Sequence, residues 1–208
     1  MTRFGTTRFW LIRHGEPTEE VRQRCYGSLD VGLSETGRAK MAQVAEDLRA
    51  EPIAAIYSSP LSRALESARI LAAVYGCPVE IAADLRELDF GDFEGLTYDE
   101  IAARYPEFYR QWMATPTEVR FPNGESFSEM QGRVLGAFDA IQQERRGQTV
   151  AIVSHGGVNR ILLAWALRMP NDCLFRLAQD YGASSLVVIV EGVPMVQLMN
   201  RRRALPAA

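Results

Sequence analysis

The sequence predicts an α/β fold: a mainly parallel β-sheet covered on both faces by helices, with one antiparallel element. Three observations carry this. Apolar runs of strand length alternate with stretches whose apolar residues recur at helical spacing. Those runs are nearly continuous, as strands buried on both faces require. The last two are separated by Gly and Pro with no helix between them, as in a hairpin. The chain of 208 residues is read as a single domain over 1–208, with a cap or insertion at about 84–124.

In chain order, Phe9–Arg13 is a buried strand feeding a loop at His14-Gly15. Ser34 caps a helix that runs through Leu48 with Met41, Val44, Ala45 and Leu48 on its apolar face. Ala54–Ser58 is a second strand. Ser59-Pro60 then opens a helix, with Ser as cap and Pro in the first helical position. Gly76-Cys77-Pro78 stops that helix, and Val79–Ala82 is a short strand. The segment 84–124 is rich in aromatic, acidic, Gly and Pro residues, with short helical pieces near 97–105 and 107–114. Its aromatics, Phe108, Tyr109, Trp112 and Phe121, read as packing within the cap. Ser126-Phe127-Ser128-Glu129 is a capping box before a helix bearing Met130, Val134, Phe138 and Ile141. Thr149–Ser154 is a strongly apolar strand and His155 precedes another helix. Ser185–Val190 and Met195–Met199 are strands joined through Gly192-Val193-Pro194, and a basic, frayed tail starts at Arg201.

Composition narrows the function. Lys and Arg number 23 against 26 Asp and Glu, a net charge of −3. A nucleic-acid or membrane-surface partner held by excess charge is therefore not expected. The apolar share of 47% excludes a disordered chain. No stretch reaches transmembrane length, and the apolar run after the N-terminus is too short for a signal peptide. The three cysteines, Cys25, Cys77 and Cys173, fit neither a disulfide framework nor a metal ribbon. They read as reduced cysteines of no chemical role, Cys25, near Arg22 and Arg24, being the one to watch as a reactive thiol. Together these imply a soluble, cytoplasmic protein. Oligomeric state stays open, a homodimer included.

The chain has two histidines, too few for a His-rich metal site. Both follow an apolar strand and precede glycine: Leu11-Ile12-Arg13-His14-Gly15 and Ile152-Val153-Ser154-His155-Gly156. In parallel α/β sheets ligands bind at the carboxyl ends of strands. The glycines let backbone approach a ligand closely. Arg63, in the first turn after the second strand, reaches the same rim. Two imidazoles with the guanidiniums of Arg13 and Arg63 suit a phosphoryl group. A neutral imidazole is a competent nucleophile near neutral pH. The acid for a leaving oxygen would come from the stretch Asp84 to Glu94, where a carboxyl among Leu85, Leu88 and Phe90 is a candidate.

These residues resemble the histidine phosphatase superfamily, the phosphoglycerate mutase-like family, over nearly the whole chain. The resemblance rests on Arg13-His14-Gly15, Leu33-Ser34-Glu35-Thr36-Gly37, Ser58-Ser59-Pro60-Leu61-Ser62-Arg63, Glu87-Leu88-Asp89-Phe90-Gly91, Gly124-Glu125-Ser126 and Ser154-His155-Gly156-Gly157. It implies a three-layer α/β/α sandwich and chemistry without metal or cofactor. His14 would accept the phosphoryl group, Arg13, Arg63 and His155 would hold it, and Glu87 rather than Asp89 would donate the proton. Tyr26 and Gly156 are further substrate-contact candidates. Many phosphatases of the family carry Asn and Gln where this chain has Glu20 and Tyr26; Arg22 and Arg24 could compensate. The run from Arg24 to Ser34 is similar to the α-ribazole phosphatase branch. The expected activity is hydrolysis of a small-molecule phosphomonoester, α-ribazole 5′-phosphate being one candidate. The alternatives are a 2,3-bisphosphoglycerate-dependent phosphoglycerate mutase and a non-catalytic protein that binds a phosphorylated ligand.

Overall fold

The computed structural model describes residues 5–202. Six strands form one sheet: β1 (Thr7–Arg13), β2 (Ile53–Ser58), β3 (Val79–Ile81), β4 (Thr149–Ser154), β5 (Ser184–Val190) and β6 (Val193–Arg201). Their order across the sheet is β3-β2-β4-β1-β5-β6. Contacts among the first four are parallel, and β5 pairs antiparallel with both β1 and β6.

Side chains alternate along each strand, so the sheet feeds two cores. Phe9, Leu11, Val150, Ile152, Val187 and Ile189 pack against α5 (Phe127–Glu144) and α6 (Gly156–Leu167). Trp10, Ile12, Ala151, Val153, Leu186 and Val188 pack on the other face against α1 (Glu35–Leu48) and α2 (Ser62–Tyr75). The result is a three-layer α/β/α sandwich. Every residue of β4 is buried, which is why its sequence is an unbroken apolar run.

Several elements begin as the sequence indicates. The Ser34 side chain accepts from the Gly37 N–H at the start of α1. Ser126 and Glu129 form the full capping box of α5. Gly76 closes α2 in the left-handed conformation at φ 64°. The start of α2 differs. Ser59-Pro60 does not open it; the cap position is Leu61, without a side-chain cap bond. Sheet pairing continues past β2, because the Ser59 N–H donates to the Val153 carbonyl at 3.1 Å. Asp30, from a distant loop, accepts from both the N–H and the hydroxyl of Ser62 at 2.6 and 2.8 Å.

The hairpin also differs. Its turn is Glu191-Gly192, with φ 51° and 81°. Val193 and Pro194 already pair with β5. Two successive positive φ values make a two-residue primed turn, the kind that matches strand twist. The register of β6 against β5 is irregular on both sides of Leu186. Arg201 closes β6 rather than starting a frayed tail, and Arg202 pairs with Asp180 at 3.4 Å. The rest of the expected tail lies outside the described residues.

Within 84–124, α3 (Tyr98–Arg104) and α4 (Pro106–Ala114) pack in a third cluster of Phe93, Ile101, Trp112, Val119 and Phe121. Cys25 joins it from the loop before α1. Backbone bonds tie the two segments: Cys25 N–H to Leu96 O at 2.9 Å and Gly95 N–H to Cys25 O at 2.7 Å. Leu85, in contrast, belongs to the main core.

Two glycines test this packing with opposite signs. A Cβ at Gly37 would collide with the Glu16 carbonyl, so Gly37→Ala should destabilise by about 1–3 kcal/mol. Gly136, in α5, has open space around its Cβ position, so Gly136→Ala should stabilise by about 0.5–1 kcal/mol. Urea unfolding of the two variants checks both.

Candidate active site

Parallel pairing of β1 with β4 brings Arg13 opposite Ser154, and the His14 N–H donates to the Ser154 carbonyl at 2.9 Å. The two histidines therefore leave neighbouring strand ends side by side. Their rings meet edge-on with centroids 5.2 Å apart. Both are buried. Ser59, continuing β2 on the far side of β4, brings its hydroxyl within 2.7 Å of His155 Nε2.

Hydrogen bonding fixes which nitrogen of the His14 ring is free. His14 Nδ1 lies 2.7 Å from the Gly15 carbonyl. A carbonyl can only accept, so Nδ1 carries the hydrogen and Nε2 of the neutral ring keeps its lone pair. Ser59 Oγ accepts from the Leu61 N–H at 3.3 Å and keeps both its proton and a second lone pair for His155 Nε2. His155 Nδ1 is buried and has no partner among the described residues. Burial, followed by the Arg13 and Arg63 charges, holds His14 well below the usual histidine range. His155 is lowered as well, first by burial and then by Arg63, His14 and Arg13.

Arg63 sits in the first turn of α2, fully buried, and donates to the Leu29 and Gly27 carbonyls at 2.7 Å each. Arg13 donates to the Gln179 carbonyl and stacks on Tyr181, its Cζ 3.9 Å from the ring centroid. The Nε atoms of both arginines are buried without a partner among the described residues. Tyr26 lies under Arg63, 5.0 Å from ring centroid to Cζ, and its hydroxyl contacts that of Tyr181. Burial raises the Tyr26 phenol, so it is a neutral hydrogen-bonding group. The Glu87 carboxylate accepts from the Gly157 and Leu88 N–H groups at 3.0 Å each.

A cavity of about 510 Å³ opens over these groups. Arg13, His14, Tyr26, Arg63 and Glu87 line it. His155 and Gly156 lie behind that lining. Gly156 is wedged between arginines: a Cβ there would sit 3.2 Å from Arg160 Nη1 and 3.5 Å from Arg13 Cζ. Gly157, not Gly156, forms the wall. The outer wall is largely apolar, with Phe90, Tyr98, Trp112, Met130 and Phe175. Arg24 reaches the wall, but it is engaged by the Gly95 carbonyl at 2.7 Å and by Glu100 at 3.7 Å. Glu20 and Arg22 are exposed and do not line the cavity. Cys25 does line it. Burial, and then the Glu94 charge, push its thiol up to about 12, in line with a cysteine of no chemical role.

Three contributors escaped sequence reading: Ser59 as the partner of His155, Tyr181 as the platform for Arg13, and Arg160 as a third guanidinium. Arg160 had a legible signal. It follows Gly156 by one helical turn, so it faces the same end of α6. Among the described residues no group of three or more His, Cys, Asp or Glu is placed to hold a metal ion. None of their helices is long and apolar enough to cross a membrane.

The buried histidines make stability depend on pH. Unfolded, each takes up a proton near pH 6.5; folded, each resists it. Their contribution is fully present above about pH 6.5 and is lost as pH falls below it, at about 1.4 kcal/mol per pH unit for each histidine. Denaturant unfolding between pH 7.5 and 5.5 should show this loss. His155→Asn should reduce the slope by one histidine's share, and an unchanged slope would refute the assignment.

Residues 9–202 match the histidine phosphatase superfamily, branch 1. The chain is 37% identical over 197 residues to the bifunctional protein Rv2228c of Mycobacterium tuberculosis, covering 94% of this chain and 54% of that protein, about half its length. It is 30% identical over 195 residues to the adenosylcobalamin/alpha-ribazole phosphatase of Salmonella typhimurium, covering 94% and 96% of the two chains. The solved structure of Bacillus stearothermophilus YhfR aligns with a TM-score of 0.89 at 33% identity, covering 95% of this chain and 98% of that one. With two strand-end histidines and two arginines around one cavity, and this match over its length, the chain belongs to the histidine phosphatase superfamily.

Proposed function

We propose that the protein is a metal-independent phosphomonoester hydrolase that works through a phosphohistidine on His14. The observation that carries this is the buried, neutral His14 ring, with its Nδ1 hydrogen held by Gly15 and its Nε2 lone pair left free beside two guanidiniums. Nε2 attacks phosphorus in line with the leaving oxygen. The bond from phosphorus to that oxygen breaks, and its electron pair goes to the oxygen. Glu87, in its protonated form, delivers the proton. Arg13, Arg63 and His155 stabilise the charge spread over the phosphoryl oxygens. Water then attacks the phosphohistidine, Glu87 recovers a proton from it, inorganic phosphate leaves and neutral His14 is restored.

Tyr26, in the cavity wall, contacts substrate and supports its neighbours, while Gly156 acts at one remove. Tyr26 supports Arg63 and Tyr181, and Gly156 leaves room for Arg13 and Arg160. Residues 84–124, with the loop around Cys25, act as a cap that sets specificity over one catalytic domain. The substrate is a small soluble phosphate ester, and the site of action is the cytoplasm. The aromatic outer wall favours a flat apolar leaving group over a carboxylated one. A ribose bearing an aromatic base, as in α-ribazole 5′-phosphate, fits that wall, and the relative from Salmonella typhimurium that bears this name supports the choice.

Phosphate release from a panel of monoesters, with chelator in excess, tests the chemistry. Wild-type protein should stay active, and His14→Ala should lose at least about 1,000-fold; full activity in the variant would refute the mechanism. A second measurement compares phosphate release from α-ribazole 5′-phosphate with phosphoryl transfer from 2,3-bisphosphoglycerate to 3-phosphoglycerate. Release should dominate. Dominant transfer would make the protein a mutase, and tight phosphate binding without turnover on any ester would make it a binding protein.

A further inference from the structure

Glu87 lies in an irregular stretch between two short 3-10 turns, Ala83–Leu85 and Gly91–Phe93. No strand holds it. Something else must fix its backbone if its carboxyl is to meet a leaving oxygen within hydrogen-bond reach. Arg133, on α5 and outside the cavity wall, supplies that grip. Its side chain and that of Glu125 are each only 11% exposed.

Every donor of the Arg133 guanidinium is used. Nε and one Nη2 hydrogen hold the two Glu125 oxygens at 2.6 and 2.8 Å. Nη1 donates to the carbonyls of Asp84 and Arg86 at 2.7 Å each. The other Nη2 hydrogen goes to the carbonyl of Glu87 itself at 3.0 Å. Glu125 closes the clamp from the far side: its N–H donates to the Asp89 carbonyl at 3.0 Å, and its Oε2 accepts from the Asp89 N–H at 3.4 Å. The backbone is therefore gripped on both sides of Glu87. Only a planar five-donor group can do this; an ammonium offers three donors from one point.

We propose that Arg133, with Glu125, is a positioning residue for the proton donor. This rests on the reading of Glu87 as the acid. Its consequence is specific to one step. When phosphorus leaves an alkyl oxygen, the electron pair lands on a strongly basic atom that needs the Glu87 proton. When the leaving group is p-nitrophenolate, that charge spreads into the ring and the proton matters less. A loosened clamp should hurt the first kind of ester more than the second, whereas general damage to the fold would hurt both alike.

The test is kcat/KM of the full chain on glycerol phosphate and on p-nitrophenyl phosphate. The variants are Arg133→Lys, Glu125→Gln and, as the reference, Glu87→Gln. A displaced catalytic group typically costs up to about 100-fold. Arg133→Lys should therefore lose about 10- to 100-fold on the alkyl ester and several-fold less on the aryl ester, following the pattern of Glu87→Gln. Should Arg133→Lys fail to fold, Glu125→Gln, which keeps the side chain's shape, carries the same expectation. Equal losses on both esters in the clamp variants, with a split in Glu87→Gln, would overturn the clamp's role alone. No split in Glu87→Gln would overturn the assignment of the acid and the clamp with it.

Discussion

The register of β1 against β4 is the constraint on which the site depends. With Arg13 opposite Ser154, each strand delivers a histidine at the next residue, and the two rings meet. A slip of one residue would separate them. It would also turn Trp10 and Ile12 into the face that Phe9 and Leu11 occupy, against helices shaped for other side chains. The two hydrophobic cores thus enforce the geometry of the candidate site. No special interaction between the histidines is needed.

A second layer of order is electrostatic. Arg13, Arg63 and Arg160 converge on a cavity whose lining, among the described residues, holds one carboxylate, Glu87. Arg63 answers its burial with backbone carbonyls instead of an acid. Carbonyls satisfy its donors without cancelling its charge, so the charge stays available to an anion. The same unpaired charges, after burial, keep both imidazoles neutral. One arrangement thereby prepares both the proposed phosphate site and its proposed nucleophile.

Much of this was legible from sequence where one interaction decides the outcome locally. The Ser34 and Ser126 caps, the apolar run of β4 and the two strand-end histidines are such cases. Sequence failed where a distant segment decides. Ser59-Pro60 has the pattern of a helix start, yet continued pairing with Val153 delays α2, and Asp30 supplies its cap. Cys25 sits between basic neighbours in sequence, but in space it packs among Phe93, Ile101 and Trp112. Tyr181 and Arg133 lie far along the chain from the groups they hold, and their own neighbours gave no signal. Pro194 read as part of a turn because the Glu191-Gly192 pair, with a non-glycine residue at positive φ, is an uncommon form of that turn.

That hairpin has an effect beyond the domain itself. β6 is the outer strand of the sheet and carries exposed Val193, Met195, Leu198 and Met199. An apolar edge of this kind invites other chains to add strands to it. Here Pro194 has no N–H to offer, and the irregular pairing near Leu186 disturbs the ladder an incoming strand would have to match. The sheet ends in an apolar edge whose ladder a further strand could not match residue for residue.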